Sequence, residues 1–358
     1  MKRSMWIWGA AIAVLSGLLY SCRTAAPPPV SLDQAAELAG VNPTMMHRAA
    51  QFRQYIIKHA ARTGVVLDEK AMAFYVKQPE KLAARCKLLG FSDAYIAIPD
   101  PKKINDHPDE LCALLRELHR AGIQAYASLD LNYLYGYDNS ITLNPFADGL
   151  AVRAITPIMD FNASWKRSAE ERFDGIETVL LPYQHISGIN GRTASLYNWN
   201  EKQYGPNGEN NILIRQTLDL MHQIREKAAD LVVAQNIGHD FHDRTLANQL
   251  SRAGVNNFLD FCDFVIIDNV SNDPDVIMEH ITPELRDSVG KESVAVRIIT
   301  SQDFYSDQAA AQSFSRNPWL DLVKDLHRVC REGHKYPSFR GLVFDDFLGL
   351  EACWERTH

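Results

Sequence analysis

The chain has 358 residues, of which 46% are hydrophobic and 23% charged, and its formal net charge is −7 at pH 7. Loss of Lys2 and Arg3 with the N-terminal segment described next takes the charge from −7 to −9. A negative chain lacks the basic surface that attracts phosphates, which argues against nucleic acid or anionic lipid headgroups as the main partner. The composition predicts no cofactor and no particular oligomeric state.

The first 21 residues are typical of a secretion signal. Lys2 and Arg3 precede an apolar run from Met5 to Tyr20, which is shorter than the roughly 20 apolar residues of a membrane-spanning helix. The letters LYSC that follow resemble bacterial lipoprotein signals, and this resemblance implies that Cys22 is lipidated and becomes the new N-terminus. The alternative is an uncleaved anchor. Both predict a cell-envelope protein, periplasmic or surface-facing, that is held to a membrane.

Three further segments follow the signal. Residues 22–30 are a predicted tether, which three consecutive prolines make extended and semi-rigid. Residues 31–62 are predicted to be helical, and residues 63–358 to form the main domain. The length is sufficient for one large barrel or for two smaller domains.

From residue 71 short apolar runs alternate with longer amphipathic stretches, the pattern of parallel strands joined by crossover helices. Strands are predicted at residues 71–76, 93–98, 124–129, 175–181, 231–237, 263–268, 293–299 and 341–347. Eight strands in this order predict a TIM (β/α)8 barrel; a doubly wound sheet is the rival, but no glycine-rich phosphate loop follows any strand. Because the last predicted helix is short, the segment 31–62 is expected to cover the barrel wall or floor in its place.

Five cysteines follow the proposed lipidation site: Cys86, Cys112, Cys262, Cys330 and Cys353. They are scattered and show no metal-binding spacing. At most two disulfides can form among them, and buried free thiols are at least as consistent with their apolar surroundings.

Polar residues occur at the ends of several predicted strands. In a TIM barrel those ends form the active-site mouth. The candidate catalytic acids are Asp130, Asp268, Asp345 and Asp346, and the candidate substrate-binding residues are Tyr133, Tyr183, Trp199, Asn269, Gln302 and Trp354. Of the adjacent pair Asp345 and Asp346, alternation along the strand directs only one inward, so the other is expected in a loop or helix cap. For the individual residues, caps, turns and ordinary packing are the alternatives.

The fourth predicted strand carries a family resemblance. FDGIETVLLPY, residues 173–183, resembles the fourth-strand region of chitinase-like TIM-barrel glycosidases, family 18 and its relatives. Asp174 and Gly175 match the opening of that pattern, and Glu177 matches its first alternate acid. Val179 and Leu181 occupy the next two positions, where the family has acids ending in the catalytic glutamate. The resemblance implies a barrel that handles carbohydrate, with an aromatic after strand eight at Trp354, and it speaks against the family's usual mechanism.

Glu177 does not replace the missing acid at position 181. The two residues share one face of the strand, but four residues separate them, so Glu177 lies roughly 13 Å deeper. Glu177 is therefore predicted to be a buried structural acid. Burying its charge requires a partner, and Arg297, in the otherwise apolar SVAVRII, is the predicted one.

Two functions from different classes follow. The first is a glycoside hydrolase-like protein that acts on an extracytoplasmic glycan through acids on strands other than the fourth, because hydrolysis needs a carboxyl group that protonates the leaving group. The second is a non-catalytic glycan-binding or cell-envelope protein on the same barrel. A metal-dependent hydrolase, in which His239 and His242 bind a metal together with Asp268 and Asp345, is a lesser alternative, and no metal ligand is among the predicted site residues.

Overall fold

The structure, a computed structural model, describes residues 29–131, 149–180, 211–239, 241, 254–302 and 311–356. Its eight strands are all parallel and close into a barrel in the order β1 to β8, which confirms the predicted TIM barrel. The strands are β1 Arg62–Leu67, β2 Asp93–Ala97, β3 Gln124–Asp130, β4 Gly175–Val179, β5 Val232–Gly238, β6 Phe264–Asp268, β7 Val294–Ile298 and β8 Phe339–Phe344.

Helices precede the barrel and connect its strands. They are α1 Leu32–Ala39, α2 Pro43–Tyr55, α3 Glu69–Tyr75, α4 Pro79–Leu89, α5 Pro108–Arg120, α6 Leu150–Ala163, α7 Asn211–Lys227, α8 Val255–Leu259, α9 Pro274–Asp287, α10 Trp319–Gly333 and α11 Phe347–Glu355. Within the described ranges no helix is both long enough and apolar enough to cross a membrane.

The first strand lies earlier than predicted. Residues 71–76 fall in and just after α3, whereas β1 is the RTGVVL segment that starts at Arg62. Asp68 explains the difference, because its side chain accepts a hydrogen bond from the Ala71 backbone N–H at 2.8 Å and so caps a helix there. The other seven predicted strands coincide with observed ones to within a few residues.

The barrel interior is a packed core. Alternate residues of the strands point inward, and the apolar members of this set form one cluster: Val66, Tyr95, Tyr126, Ala234, Phe264, Ile266, Ala295 and Val343. We call the end where the strands begin the floor. Charges there are paired, since Arg62 Nε donates to Asp93 Oδ1 at 2.9 Å and Arg340 lies 3.5 Å from the same carboxylate. The opposite end is the mouth.

The N-terminal helices complete the barrel wall. Phe52 of α2 packs against Phe344 of β8 and Trp319 of α10, with ring centroids 5.6 and 5.7 Å apart. Helix α2 thus lies between the outer face of the last strand and the helix that precedes it. The helix after β8, α11, has only nine residues, and α2 supplies the apolar cover that so short a helix leaves out.

All five cysteines after Cys22 are buried free thiols. Their positions are in helices, or in the connection before β6. None pairs with another in the described part of the chain.

Candidate functional site

Three charged side chains face the mouth because of strand alternation. Arg297 lies two residues after Ala295, Asp268 two after Ile266 and Asp345 two after Val343, and those three apolar residues belong to the interior cluster. Since successive side chains alternate between the two faces of a strand, the charged residues continue the inward rows of β6, β7 and β8.

A buried polar network lies at the base of the mouth. The fully buried Glu177 carboxylate on β4 accepts hydrogen bonds from the Arg297 guanidinium and, at 2.8 Å, from Asn236 Nδ2 on β5. Arg297 Nη2 also donates to Asn236 Oδ1 at 3.0 Å. The predicted pairing of Glu177 with Arg297 is confirmed, and so is the structural burial of Glu177.

Asp268 connects this network to solvent. Its Oδ1 lies 3.1 Å from Arg297 Nε, and 26% of its side-chain surface remains accessible although the surrounding barrel encloses it. Burial raises the pKa of the Asp268 carboxyl to about 6, the Arg297 charge opposes the rise, and the Glu177 and Asp345 charges add to it. A carboxyl group with a pKa near 6 is protonated in a substantial fraction of molecules at mildly acidic pH.

Asp345 is held by the end of the neighbouring strand. Its Oδ1 accepts hydrogen bonds from Thr300 N at 2.6 Å, Thr300 Oγ1 at 3.1 Å and Ser301 N at 3.2 Å. Burial raises the pKa of Asp345, whereas the Thr300 hydrogen bonds and the Arg297 charge act against the rise. Gly349 permits this arrangement, because a Cβ there would lie 1.9 Å from the Thr300 carbonyl oxygen.

Asp346 does not face the mouth, and its prediction as a catalytic acid is corrected. It is the N-cap residue of α11, and its backbone carbonyl accepts a hydrogen bond from Thr300 Oγ1 at 2.8 Å. Burial raises the pKa of its carboxyl, while the Gly349 and Leu348 backbone amides lower it. Alternation after Val343 accounts for the difference between the two neighbouring acids. Asp345 points inward, whereas Asp346 occupies the N-cap position of α11.

Two predicted binding residues also have other roles. Trp354 is fully buried, and its Nε1 donates to the Met45 carbonyl of α2 at 2.8 Å, so it presents no face to a sugar. Asn269 is 3% exposed. Its Oδ1 accepts from Ser271 N at 3.1 Å and its Nδ2 donates to Ser271 O, an arrangement that closes a turn on itself.

The remaining predicted residues divide into two groups. Asp130, the last residue of β3, and Gln302, four residues after β7, are exposed at the mouth end of their strands. Tyr133, Tyr183, Trp199, His242, Leu181 and Cys22 lie outside the residues that the structure describes.

Asn236 and Thr300 belong to the network but were not among the residues predicted from the sequence. Asn236 could have been found, since it continues the inward row of β5 two residues after Ala234 and places a polar side chain on the inward face of that strand. Thr300 carried no such signal, because its role depends on the approach of α11 to the end of β7.

A histidine pair and a cavity in the outer wall do not belong to this network. The His239 and His280 rings are 4.9 Å apart, but the described ranges contain no group of three or more His, Cys, Asp or Glu side chains that could hold a metal ion. A cavity of about 580 Å³ lies in the outer wall between α3, α4 and α5. Its lining is mainly apolar, with Met72, Ile98 and Leu114 among its residues.

Comparisons with known proteins return similar folds only. No protein-family model matches the chain, and no curated protein matches its sequence. Among solved structures, the chain is similar to the PgaB (BpsB) glycoside hydrolase domain from Bordetella bronchiseptica, with 16% identity, a TM-score of 0.49, and coverage of 81% of this chain and 95% of that one.

Two further glycoside hydrolases are similar to the chain. A psychrophilic family 10 endo-β-1,4-xylanase shares 11% identity with a TM-score of 0.47, over 87% of this chain and 96% of that one. The endo-β-N-acetylglucosaminidase from Cordyceps militaris shares 9% identity with a TM-score of 0.42, over 82% and 85%. All three TM-scores are below 0.5, so these similarities are no evidence about substrate or reaction.

Proposed function

We propose that this chain is a lipid-anchored glycoside hydrolase-like barrel that acts on an extracytoplasmic glycan, with Asp268 as proton donor and Asp345 as the partner carboxylate. The observation that supports the proposal is the position of Asp268. It ends an inward row at the mouth, remains partly accessible, and has a pKa raised to about 6. Glycoside hydrolysis requires such a carboxyl group to protonate the leaving oxygen.

Asp345 suits the second role. Three donors converge on its Oδ1 and favour the ionised form that a base, nucleophile or charge-stabilising group needs. Its charge contributes to the raised pKa of Asp268, so the two carboxyl groups influence each other across the mouth. Burial raises the pKa of both carboxyl groups, and the hydrogen bonds to Asp345 oppose the rise at that residue only, which suits Asp268 as the acid and Asp345 as its ionised partner.

A non-catalytic glycan-binding barrel is the second candidate. It is favoured by one observation: each of the two inward acids already has a structural partner, Asp268 in Arg297 and Asp345 in Thr300. In this case the mouth would bind sugar without cleaving it.

Hydrolysis of a glycan panel by purified wild type and by Asp268→Asn and Asp345→Asn variants tests the proposal. We expect each substitution to lower kcat by at least about 100-fold, the range of a lost general acid or base. Asp346→Asn is the matched control, because it changes the adjacent carboxyl without changing the mouth, and it should keep wild-type kcat. Saturable glycan binding without turnover by wild type would instead establish the second candidate.

A further inference from the structure

The described chain enters the barrel at its floor. The Val30 backbone N–H donates to the carbonyl of Arg120, the last residue of α5, at 3.1 Å. That end of α5 leads directly into the start of β3 at Gln124. Because every crossover helix runs back from mouth to floor, Val30 lies on the floor side, and we call its position, which adjoins the tether in sequence, the tether exit.

The tether limits how far the domain can stand from its anchor. Eight residue steps separate Cys22 from Val30, which in the extended conformation of a proline-rich segment span roughly 25 Å. The 13 residues of α5 cover about 20 Å from its mouth end to its floor end. The floor is therefore closer to the proposed anchor than the mouth, although a tether of this length alone still permits the barrel to tilt.

The floor also carries the two most exposed large hydrophobic side chains of the described chain. Trp165 is 86% exposed and Val289 is 88% exposed. Trp165 lies in the connection between α6 and β4, and Val289 in the connection between α9 and β7, both of which run along the floor. The connection that holds Trp165 adjoins the tether exit, since Glu171 in it accepts a hydrogen bond from Arg116 of α5 at 2.7 Å.

Exposed tryptophan beside a basic residue suits the membrane–water interface. The ring is amphipathic and prefers the headgroup level, where a neighbouring lysine can remain hydrated. Lys166 Nζ lies 5.8 Å from the Trp165 ring centroid. The tether exit and this aromatic side chain are thus two independent features of the same floor sector.

We infer that the floor of the barrel faces the membrane, with Trp165 in the lipid interface, and that the mouth points away from it. The inference rests on the proposed lipid anchor at Cys22. It deepens the proposed function, because a mouth directed away from the membrane takes glycan from the surrounding compartment and not the sugar headgroups of lipids in the same leaflet. The inference relies on burial of the Trp165 ring in the interface and not on attraction between charges.

The test uses the full lipidated chain in phosphatidylcholine vesicles. Lys166→Cys and Lys102→Cys replace exposed lysines at the floor and at the mouth, respectively. The other cysteines after Cys22 are buried, so an environment-sensitive thiol-reactive fluorophore reports on the introduced site. We expect spin-labelled lipid to quench the fluorophore at position 166 several-fold more strongly than at position 102, and Trp165→Ala in the Lys166→Cys background to reduce this quenching.

Equal quenching at the two positions, or stronger quenching at position 102, would overturn the inferred orientation. Vesicle flotation of the same samples separates this result from failure of the anchor. Wild type that does not float removes the anchor and the orientation together. Protein that floats but quenches equally at both positions removes only the orientation and leaves the anchor standing. Thermal unfolding by circular dichroism confirms that each variant is folded.

Discussion

Glu177 and Arg297, 120 residues apart in sequence, form an ion pair in the barrel interior between β4 and β7. The pair explains why the fourth strand carries an acid in its interior although Val179, two residues further along, is apolar. Glu177 is needed to balance a buried guanidinium, whatever reaction the mouth performs. Asn236 hydrogen-bonds to both side chains, since its Nδ2 donates to Glu177 and its Oδ1 accepts from Arg297.

Arg297→Met should be strongly destabilising. It leaves the fully buried Glu177 carboxylate without its cation, and breaking a buried pair in this way costs about 3–5 kcal/mol. Urea unfolding monitored by circular dichroism measures the loss. The double variant Glu177→Leu with Arg297→Met should recover much of it, because both charges are then removed. Arg286→Met, in an exposed pair with Asp287, is the control and should change stability by less than about 1 kcal/mol. A stable Arg297→Met variant would disprove the structural role of the pair.

The pH profile of hydrolysis should report Asp268. As a proton donor it must be protonated, so kcat/KM is expected to fall as pH rises through about 6. Arg297→Gln removes a charge that lowers this pKa, and the descending limb should move to higher pH. Arg297→Lys keeps a positive charge and should move the limb less. A limb that stays fixed in both variants would show that another group donates the proton.

His119 should make stability depend on pH at the floor. Its Nε2 lies 2.9 Å from Asp174 Oδ2 and its Nδ1 2.7 Å from the Glu170 carbonyl oxygen. Burial lowers the pKa of His119, but these two hydrogen bonds and the Asp174 charge outweigh it and raise the pKa overall. The stabilisation is therefore fully present below the unfolded pKa of about 6.5 and is lost as pH rises through the raised folded pKa.

The measurement for His119 is the free energy of unfolding at a series of pH values. Wild type should lose on the order of 1 kcal/mol more than His119→Gln between pH 6 and pH 9, the scale of a hydrogen bond to a charged group. Parallel curves for the two proteins would mean that the pKa of His119 is the same in the folded and unfolded states.

Trp354→Phe should affect stability and leave sugar binding unchanged. The substitution removes the indole N–H that donates to the Met45 carbonyl and opens a small cavity. A loss of about 1–3 kcal/mol is expected. Glycan affinity, measured by calorimetry on any sugar that binds wild type, should be the same in both proteins. A folded variant with weakened glycan affinity would show that Trp354 contributes to the binding site.

The barrel was predictable from the sequence because each strand from β2 to β8 is an apolar run that can be distinguished from the more polar residues on either side of it. Strand β1 was not, since RTGVVL begins with polar residues, and the following AMAFYV is apolar but belongs to a capped helix. A short apolar run alone does not distinguish a strand from a buried turn of helix. Here the run is helical because Asp68 caps the helix at its N-terminus.

The candidate site was predictable in part. Chain order places Asp268 and Asp345 at strand ends, and alternation directs both inward, which needs no tertiary information. The Glu177–Arg297 pair also followed from the cost of burying a lone charge. The roles of Asn269 and Trp354 did not follow, because one depends on a local turn and the other on how α2 packs over α11. An aromatic residue after the last strand can face the mouth or the wall, and only the neighbouring helix determines which.

The position of α2 in the wall has a consequence for how the chain folds. Met45 contacts Trp354 across a sequence separation of 309 residues, and Arg48 Nη1 donates to the Arg356 carbonyl across 308. The ring of helices is therefore complete only after α11 has been made. Contacts between residues so far apart in sequence close a long loop and slow the search for the native state. A fragment that stops before α11 would leave α2 without part of its docking surface, so we expect such a fragment to be cleaved by added protease faster than the full chain.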